Sequence, residues 1–269
     1  MNAIRFSDSW ERGSPYEQYI GRWSRKIAPL FLAWLDQSAG KRWLDVGCGT
    51  GALSAAILDH CTPSSVVGVE PSEGFLRLAV QNLAGKARFI AGNAAALPLD
   101  GDACDVVVSG LVLNFVPDLP AALSEMRRVT AYGGNIAAYV WDYAGGMEII
   151  KYFWDAAASL DPVAAQLHEG TRFPVCEPSA LKAAFEDAGL AAVKTTALEV
   201  MAEFADFDDY WRPFLGGQGP APAYAMSLPE KQRATLRDKL KSALPPAAGG
   251  AISLEARAWA VRGTTRSDA

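Results

Sequence analysis

A glycine-rich bend at residues 47–51, GCGTG, constrains the fold of this chain more than any other segment. It joins the apolar residues 43–46, which predict a short strand, to the amphipathic residues 52–58, which predict a helix, and it leaves no room for a conventional loop. Glycine lacks a Cβ atom, so the backbone can adopt positive φ and a ligand can lie against bare peptide groups. The first N–H groups of the helix then point at that ligand. The bend therefore predicts a site for a nucleotide-like molecule.

An acid, Asp45, lies inside the predicted strand, two residues before the first glycine. The spacing Gly47-x-Gly49-x-x-Ala52 also fits the loose fingerprint of dinucleotide-binding enzymes. A dinucleotide site usually keeps an apolar residue under the pyrophosphate, whereas a carboxylate there repels phosphate and suits an ammonium group. Asp45 therefore favours a ligand with an ammonium group, and an NAD-type dinucleotide oxidoreductase stays open as the alternative.

A second acid, Glu70, ends the next predicted strand, at residues 65–70. It follows Gly51 by 70 − 51 = 19 residues, or one helix and one strand, which is where an α/β unit brings an acid to a ribose. Two carboxylate oxygens can accept hydrogen bonds from two vicinal hydroxyls. Dinucleotide sites share this feature, so Glu70 indicates nucleoside binding without separating the alternatives.

The rest of the chain continues the alternation of strands and helices. This alternation predicts an α/β fold with a mostly parallel sheet, and a chain of 269 residues that is half hydrophobic can bury a large core. Further strands are predicted at 87–92, 105–109, 135–141, 190–200 and 256–262, and helices at 14–35, 52–58, 118–128, 147–160, 178–188 and 228–244. A Gly/Pro-rich loop is predicted at 216–229.

The run LDVGCGTG at 44–51 resembles the cofactor loop of the class I S-adenosylmethionine (SAM) dependent methyltransferases. The later helix, the pair Gly133-Gly134, the following strand and Trp141-Asp142 are similar to the ubiquinone-biosynthesis-like branch of that family. The resemblance implies a Rossmann-like doubly wound sheet of seven strands, mostly parallel, with the last strand antiparallel between the fifth and sixth. It also implies a small-molecule methyltransferase (EC 2.1.1.-) with SAM as its cofactor.

The cofactor residues implied by the resemblance surround the glycine bend. Asn93 stands where the family usually has an Asp that accepts a hydrogen bond from the adenine amino group, and an amide oxygen can also accept that bond. An N-terminal helix is expected to fold over the cofactor, with Arg22 and Arg25 as candidate partners for its carboxylate. The implied cofactor-binding residues are Tyr16, Arg22, Asp45, Gly47, Gly49, Gly51, Glu70, Pro71, Asn93, Ala94 and Ser109.

The acceptor site is expected to be apolar and aromatic. Asn114 stands where the branch often has His, and losing the imidazole removes the obvious candidate base, so no catalytic residue is assigned by analogy. His168, Asp142 and Tyr143 remain as candidates for a proton acceptor. The residues expected to line the substrate pocket are Tyr19, Trp23, Asn114, Phe115, Trp141, Phe173, Trp211 and Phe214.

Two extra segments, 145–177 and 204–250, follow the carboxyl ends of the fifth and sixth strands, where chain segments cover the ligand crevice of a parallel sheet. They are predicted to form lid insertions. The predicted organisation is an N-terminal helical segment at 1–36, a SAM-binding core at 37–144 that continues at 178–203, the two lids, and a last core strand with a tail at 251–269.

Composition narrows the class of partner. A formal net charge of −5 argues against nucleic acid, which favours a basic face. No apolar run reaches membrane-spanning length, and the four cysteines lack metal-ligand spacing, so no metal is expected. We expect a cytoplasmic monomer or homodimer that methylates a small apolar or aromatic molecule on O, N or C. A non-catalytic SAM-binding protein of the same fold is a further alternative.

Overall fold

The computed structural model describes residues 22–216, 219–245 and 250–266. The chain divides into two compact units. Among the described residues, the sheet unit consists of 24–141, 175–198 and 258–266, and the helical unit of 22–23, 142–174 and 199–257. None of the described helices is long and apolar enough to cross a membrane.

Seven strands form one sheet in the order β3-β2-β1-β4-β5-β7-β6. The pairs from β3 to β5 are parallel, and β7 runs antiparallel to β5. This arrangement confirms the predicted Rossmann-like sheet with its antiparallel last strand between the fifth and sixth. The strands are β1 (Arg42–Val46), β2 (Ser65–Glu70), β3 (Arg88–Ala91), β4 (Cys104–Gly110), β5 (Thr130–Trp141), β6 (Ala191–Phe204) and β7 (Ile252–Thr264).

Helices account for most of the remaining described residues. The α-helices are α1 (Arg22–Leu35), α2 (Ala52–His60), α3 (Glu73–Asn82), α4 (Leu119–Val129), α5 (Glu148–Leu160), α6 (Glu169–Arg172), α7 (Pro178–Asp187), α8 (Phe207–Trp211), α9 (Pro220–Ser227) and α10 (Glu230–Ala243). Short 3-10 segments lie at Leu113–Phe115, Pro162–Leu167, Pro174–Cys176 and Arg212–Gly216.

The centre of the sheet unit is buried on both faces, as the apolar sequences of its strands require. Leu44, Val46 and residues 106–108 have no exposed surface. At the amino ends of β1 and β4, Arg42 forms an ion pair with Asp105, 2.8 Å between Nη2 and Oδ1. The buried strands leave their carboxyl ends, where the glycine bend lies, as the place for a ligand.

The helical unit has an aromatic core of its own. Phe153 on α5 stacks on Phe214, with 4.6 Å between ring centroids. The Tyr210 hydroxyl on α8 donates a hydrogen bond of 2.9 Å to the Ile149 carbonyl. Aromatic residues from α5, α8 and the segment after α8 therefore bind these elements together.

Two of the local differences between the structure and the sequence prediction have a clear physical reason. The predicted loop at 216–229 is wrong for Pro220–Ser227, which form α9, because prolines are tolerated in the first turn of a helix. The fifth strand begins at Thr130 rather than at 135, since a register shift in the pairing with β4 accommodates the intervening residues.

Candidate cofactor site

The glycine bend connects the carboxyl end of β1 to α2 and is held by the neighbouring strand. The N–H groups of Gly47 and Cys48 both donate to the Val69 carbonyl of β2, at 2.8 and 3.1 Å. Gly47, Gly49 and Gly51 have φ values of +73°, +53° and +90°. Such values disfavour side chains, so the three glycines permit this path of the backbone.

Gly47 and Gly49 differ in what surrounds them. A Cβ atom at Gly47 would lie 2.5 Å from Cγ1 of Val112, whereas a Cβ atom at Gly49 would meet no described atom within 4 Å. Gly47 is therefore required by packing within the protein. Gly49 instead presents bare backbone to open space, which is the feature that a bound ligand needs.

Asp45 is buried under the bend, with 1% of its surface exposed. Its Oδ2 accepts a hydrogen bond of 2.7 Å from the Ser54 hydroxyl on α2, and its Oδ1 has no hydrogen-bond partner among the described residues. Burial raises the pKa of Asp45 to about 7, against the favourable effect of Ser54 on the ionised form. A buried carboxylate with an unpartnered oxygen is costly, and a cationic ligand would offset that cost.

Glu70 lies at the carboxyl end of β2 and joins the bend to α3. One carboxylate oxygen accepts from the Gly49 N–H at 3.0 Å and the other from the Ser72 N–H at 2.9 Å. Burial raises the pKa of Glu70, and these two backbone bonds oppose the rise. Each oxygen keeps a second lone pair. The carboxylate is thus held in one orientation and can still accept hydrogen bonds from a ligand.

The other predicted cofactor residues lie at the ends of β2, β3 and β4. Asn93 is exposed, and its side-chain oxygen accepts from the Ala95 N–H at 2.9 Å. Pro71 is exposed and Ala94 half-buried. The buried Ser109 hydroxyl donates to the Val46 carbonyl at 2.9 Å, so it links β4 to the end of β1. The topology brings these residues to one edge of the sheet, and their contacts with a cofactor stay predictions.

Three predicted acceptor residues lie at the same edge of the sheet unit. Asn114 is 8% exposed and Trp141 is 2% exposed, and Phe115 is half-buried. Nδ2 of Asn114 and Nε1 of Trp141 have no hydrogen-bond partner among the described residues. Two buried donors without partners are unusual in a folded protein and indicate a site that a ligand completes.

The other described acceptor residues belong to the helical unit. Trp211 and Phe214 are buried, with 5.9 Å between their ring centroids, and Trp23 lies 5.3 Å from Phe204. Phe173 is half-buried, 6.4 Å from Tyr143. These rings contribute to packing within this unit, and their role toward an acceptor stays a prediction.

The candidates for a proton acceptor are already engaged. Nδ1 of His168 accepts from the Gly170 N–H at 2.9 Å, so the neutral ring carries its proton on Nε2 and has no free lone pair. Asp142 accepts from Nε of Arg257 at 2.8 Å and from the Gly145 N–H at 3.1 Å. Tyr143 is buried, with 4% of its surface exposed. A catalytic role for any of the three stays a prediction.

Several predicted residues cannot be placed. Tyr16 and Tyr19 lie outside the described residues, as does the side chain of Arg22, although its backbone begins α1. The described residues contain no group of three or more His, Cys, Asp or Glu side chains that could hold a metal ion.

Two site residues were missed in the sequence. Ser54 is the third residue of α2 and bonds Asp45, and Val112 packs where Gly47 would carry a side chain. A small hydroxyl residue in the first turn after a glycine bend is the signal that could have identified Ser54. Val112 carries no comparable signal, because its contact depends on how the segment after β4 folds.

The site suits a ligand with an ammonium group and a nucleoside. Asp45 offers an unpartnered buried carboxylate oxygen, Glu70 offers fixed acceptors, and Gly49 leaves space against the backbone. SAM has these chemical features, and the donor set fits it.

Known proteins match this chain in sequence and in fold. A family model described as a methyltransferase domain matches residues 44–138. Demethylmenaquinone methyltransferase of Roseiflexus castenholzii is 37% identical over 97 residues, which cover 36% of this chain and 41% of that protein. Malonyl-[acyl-carrier protein] O-methyltransferase of Serratia marcescens is 34% identical over 136 residues, covering 51% of this chain and 52% of that protein. The chain thus spans about half the length, or less, of these curated relatives.

The structural likeness extends further along the chain. Phosphoethanolamine N-methyltransferase 2 of Haemonchus contortus, solved in complex with S-adenosyl-L-methionine, aligns with a TM-score of 0.57 at 13% identity. The alignment covers 94% of this chain and 56% of that one, and at this identity it shows a shared fold. The sequence match shows a methyltransferase domain at residues 44–138, and the structural likeness shows that the chain shares the Rossmann-like fold of known methyltransferases.

Proposed function

We propose that this protein transfers a methyl group from SAM to a small, apolar or aromatic acceptor. The observation that carries the proposal is the pair of buried acids, Asp45 and Glu70, on either side of a bend whose middle glycine faces open space. An ammonium group and two ribose hydroxyls are the groups that such a pair complements. The phosphates of a dinucleotide would meet two carboxylates at this bend, which would repel them.

Asp45, Glu70 and Gly49 each have a distinct task in this proposal. The charge of Asp45 attracts the ammonium group of the cofactor's amino-acid end. Glu70 accepts hydrogen bonds from the ribose hydroxyls while its bonds to Gly49 and Ser72 hold it still. Gly49 lets the ligand approach the backbone, since it has no side chain to displace.

The chemistry places few demands on acids and bases. When bound, SAM supplies a methyl group on a positively charged sulfur, and methyl transfer is an in-line displacement. The protein's residues have to align the acceptor and exclude water. This requirement is compatible with the hydrogen bonds that already engage His168 and Asp142 within the helical unit.

The acceptor is best sought through Asn114 and Trp141. Their unpartnered N–H groups can donate to an oxygen on the acceptor, and the Trp141 ring offers an apolar face. The names of the two curated relatives specify different acceptors, a demethylated menaquinone and a malonyl group on a carrier protein. The shared domain therefore leaves the acceptor open, and the apolar or aromatic class rests on the aromatic residues of this chain.

Calorimetric titration tests the cofactor. We expect S-adenosylhomocysteine, the product of SAM, to bind in the micromolar range and NADH not to bind. Glu70→Gln should weaken the binding of S-adenosylhomocysteine, and the control Glu73→Gln, an exposed acid in the first turn of α3, should not. Binding of NADH alone would establish the dinucleotide alternative.

A screen with methyl-labelled SAM tests the transfer itself. A panel of quinols, phenols, amines and carboxylic acids, together with a cell extract, should yield at least one labelled product. Trp141→Ala should alter the use of that acceptor more than the affinity for S-adenosylhomocysteine. Tight cofactor binding without any labelled product would favour the non-catalytic alternative.

The remaining features of the proposal concern partners and location. The net charge of −5 supports a small-molecule acceptor rather than nucleic acid. We propose a cytoplasmic monomer or homodimer. Gel filtration with light scattering distinguishes the two states.

A further inference from the structure

Ser54 makes a side-chain contact inside the cofactor site that the proposed function does not use. It is fully buried in the first turn of α2, and its hydroxyl donates to Oδ2 of Asp45 at 2.7 Å. The bond joins a helix to a strand under the glycine bend. A buried hydroxyl that bonds a carboxylate favours the ionised form of that acid and fixes its orientation.

The two oxygens of Asp45 are treated differently by the protein. Oδ2 has the Ser54 hydroxyl, while Oδ1 has no partner among the described residues. The carboxylate is therefore anchored at one oxygen, and its charge is not balanced by a protein donor at the other. An arrangement of this kind leaves the charge for a ligand.

We propose that Ser54 is a positioning residue for the cofactor, whose hydroxyl favours the ionised form of the Asp45 carboxylate and fixes it beneath the bend, where it attracts the ligand's ammonium group. The inference rests on the proposed function. Asp45 is enclosed by protein, so its charge acts on the ligand across the glycine bend, in surroundings that screen it less than water does. Ser54 acts through Asp45 and touches no reacting atom.

The other groups around Asp45 oppose its ionisation. Burial is the largest effect, and the charge of Glu70 on β2 also raises the pKa of Asp45. Burial, and to a lesser extent the charge of Asp45, raises the pKa of Cys48 in the bend, so Cys48 stays a neutral thiol. From β4, the paired residue Val108 adds no charge. The hydroxyl and N–H of Ser54 are the described groups that lower the pKa of Asp45.

Removing the hydroxyl should consequently change ligand binding in a pH-dependent way. With a pKa of about 7, roughly half of Asp45 is ionised at pH 7, and a rise of about one unit would leave roughly a tenth ionised. Affinity for an ammonium-bearing ligand should then fall about fivefold at pH 7. The loss should be about tenfold at pH 6 and should shrink above pH 8, where both proteins carry the charge.

The experiment compares wild type, Ser54→Ala and Ser54→Thr by calorimetry from pH 5.5 to 8.5. The probes are S-adenosylhomocysteine and 5′-deoxy-5′-methylthioadenosine, which shares the nucleoside but lacks the amino-acid group. Titration of the ligand's own amino group cancels in the ratio between proteins. The control Ser65→Ala removes an exposed hydroxyl at the start of β2.

Ser54→Ala should weaken the binding of S-adenosylhomocysteine most at low pH and leave the binding of methylthioadenosine unchanged. Ser54→Thr, which keeps a hydroxyl, should bind S-adenosylhomocysteine as the wild type does. A loss that is equal at all pH values, or equal for both ligands, overturns the inference, since a structural defect would produce that pattern. NMR titration of the Asp45 carboxyl carbon in the ligand-free proteins is a second measurement. If the wild type binds neither ligand, the proposed function fails, and an unchanged Asp45 pKa in Ser54→Ala overturns the role of Ser54 separately.

Discussion

Asp45→Asn should stabilise the folded protein at neutral pH while it abolishes the charge on which the proposed cofactor binding depends. The carboxyl has an ordinary pKa of 3.8 and a folded-state pKa of about 7, raised by burial. The difference of 7 − 3.8 = 3.2 units corresponds to about 4 kcal/mol at about 1.36 kcal/mol per unit. This is the free energy of unfolding that the wild type loses between acidic and neutral pH because the buried Asp45 has a raised pKa.

The sign follows from proton binding. Between pH 4 and 7 the folded state keeps the proton of Asp45 and the unfolded state has released it, so the unfolded state binds fewer protons and stability falls as pH rises. Below pH 4 and above pH 7 this contribution is constant. An asparagine does not titrate and can still accept the hydrogen bond from Ser54. The stability of the variant relative to wild type should therefore increase by up to about 4 kcal/mol from pH 4 to pH 8.

Urea unfolding followed by tryptophan fluorescence at half-unit steps from pH 4 to 8 measures this difference. The matched control is Asp59→Asn. Asp59 is an exposed acid in the last turn of α2, so its replacement removes an equal charge from a position that is not buried. Its stability relative to wild type should stay within about 0.5 kcal/mol across the range. A difference between Asp45→Asn and wild type that is flat with pH would refute the reasoning, because Asp45 would then titrate alike in the folded and unfolded states.

The remaining predictions concern the bend and the acceptor edge. Gly47→Ala should cost about 2–5 kcal/mol of stability in thermal melts, because its Cβ would lie 2.5 Å from a valine side chain at a φ of +73°. Gly49→Ala should cost about 1–2 kcal/mol of stability, since only its φ of +53° is unfavourable, yet it should lower the affinity for S-adenosylhomocysteine more than about tenfold. Equal stability losses for Gly47→Ala and Gly49→Ala would contradict the difference in their surroundings. Glu70→Gln should weaken the binding of S-adenosylhomocysteine by about 1–3 kcal/mol in calorimetry, whereas Glu73→Gln should leave it unchanged. An unaffected Kd in Glu70→Gln would mean that Glu70 does not contact the ligand. Asn114→Leu should raise stability by about 1 kcal/mol by deleting an unpartnered donor and should slow methyl transfer without changing cofactor affinity; a destabilised variant would mean that the amide has a structural partner.

The arrangement of the glycine bend and Glu70 could be predicted from the sequence because it depends on local order along the chain. A strand, a glycine bend and a helix, followed by a strand that ends in Glu70, have only one common arrangement in a parallel sheet. That arrangement brings the bend and Glu70 together without any knowledge of long-range packing. The observed hydrogen bond from Gly49 to Glu70 is a direct product of it.

Other features depend on contacts between distant residues and were not predictable. The carboxylate of Asp142 is paired with Arg257, 115 positions along the chain, and nothing near Asp142 in the sequence indicates that partner. Likewise, the bond from Ser54 to Asp45 requires knowing which face of α2 meets β1. Prolines such as Pro220 and Pro222 favour a loop in sequence, yet both lie in the first turn of α9, where proline loses no hydrogen bond.

The unpartnered polar atoms of the sheet unit argue for a ligand independently of any family likeness. Four buried side-chain atoms lack hydrogen-bond partners among the described residues: Oδ1 of Asp45, Nδ2 of Asn114, and Nε1 of Trp43 and Trp141. Asp45, Asn114 and Trp141 all lie at or just beyond the carboxyl ends of β1, β4 and β5, which are adjacent in the sheet. Each such atom costs about 1–3 kcal/mol, a large fraction of the stability of a typical domain. Three of the four atoms thus lie where a ligand with both hydrogen-bond donors and acceptors would complete the site, and the fourth, on Trp43, lies toward the amino end of β1.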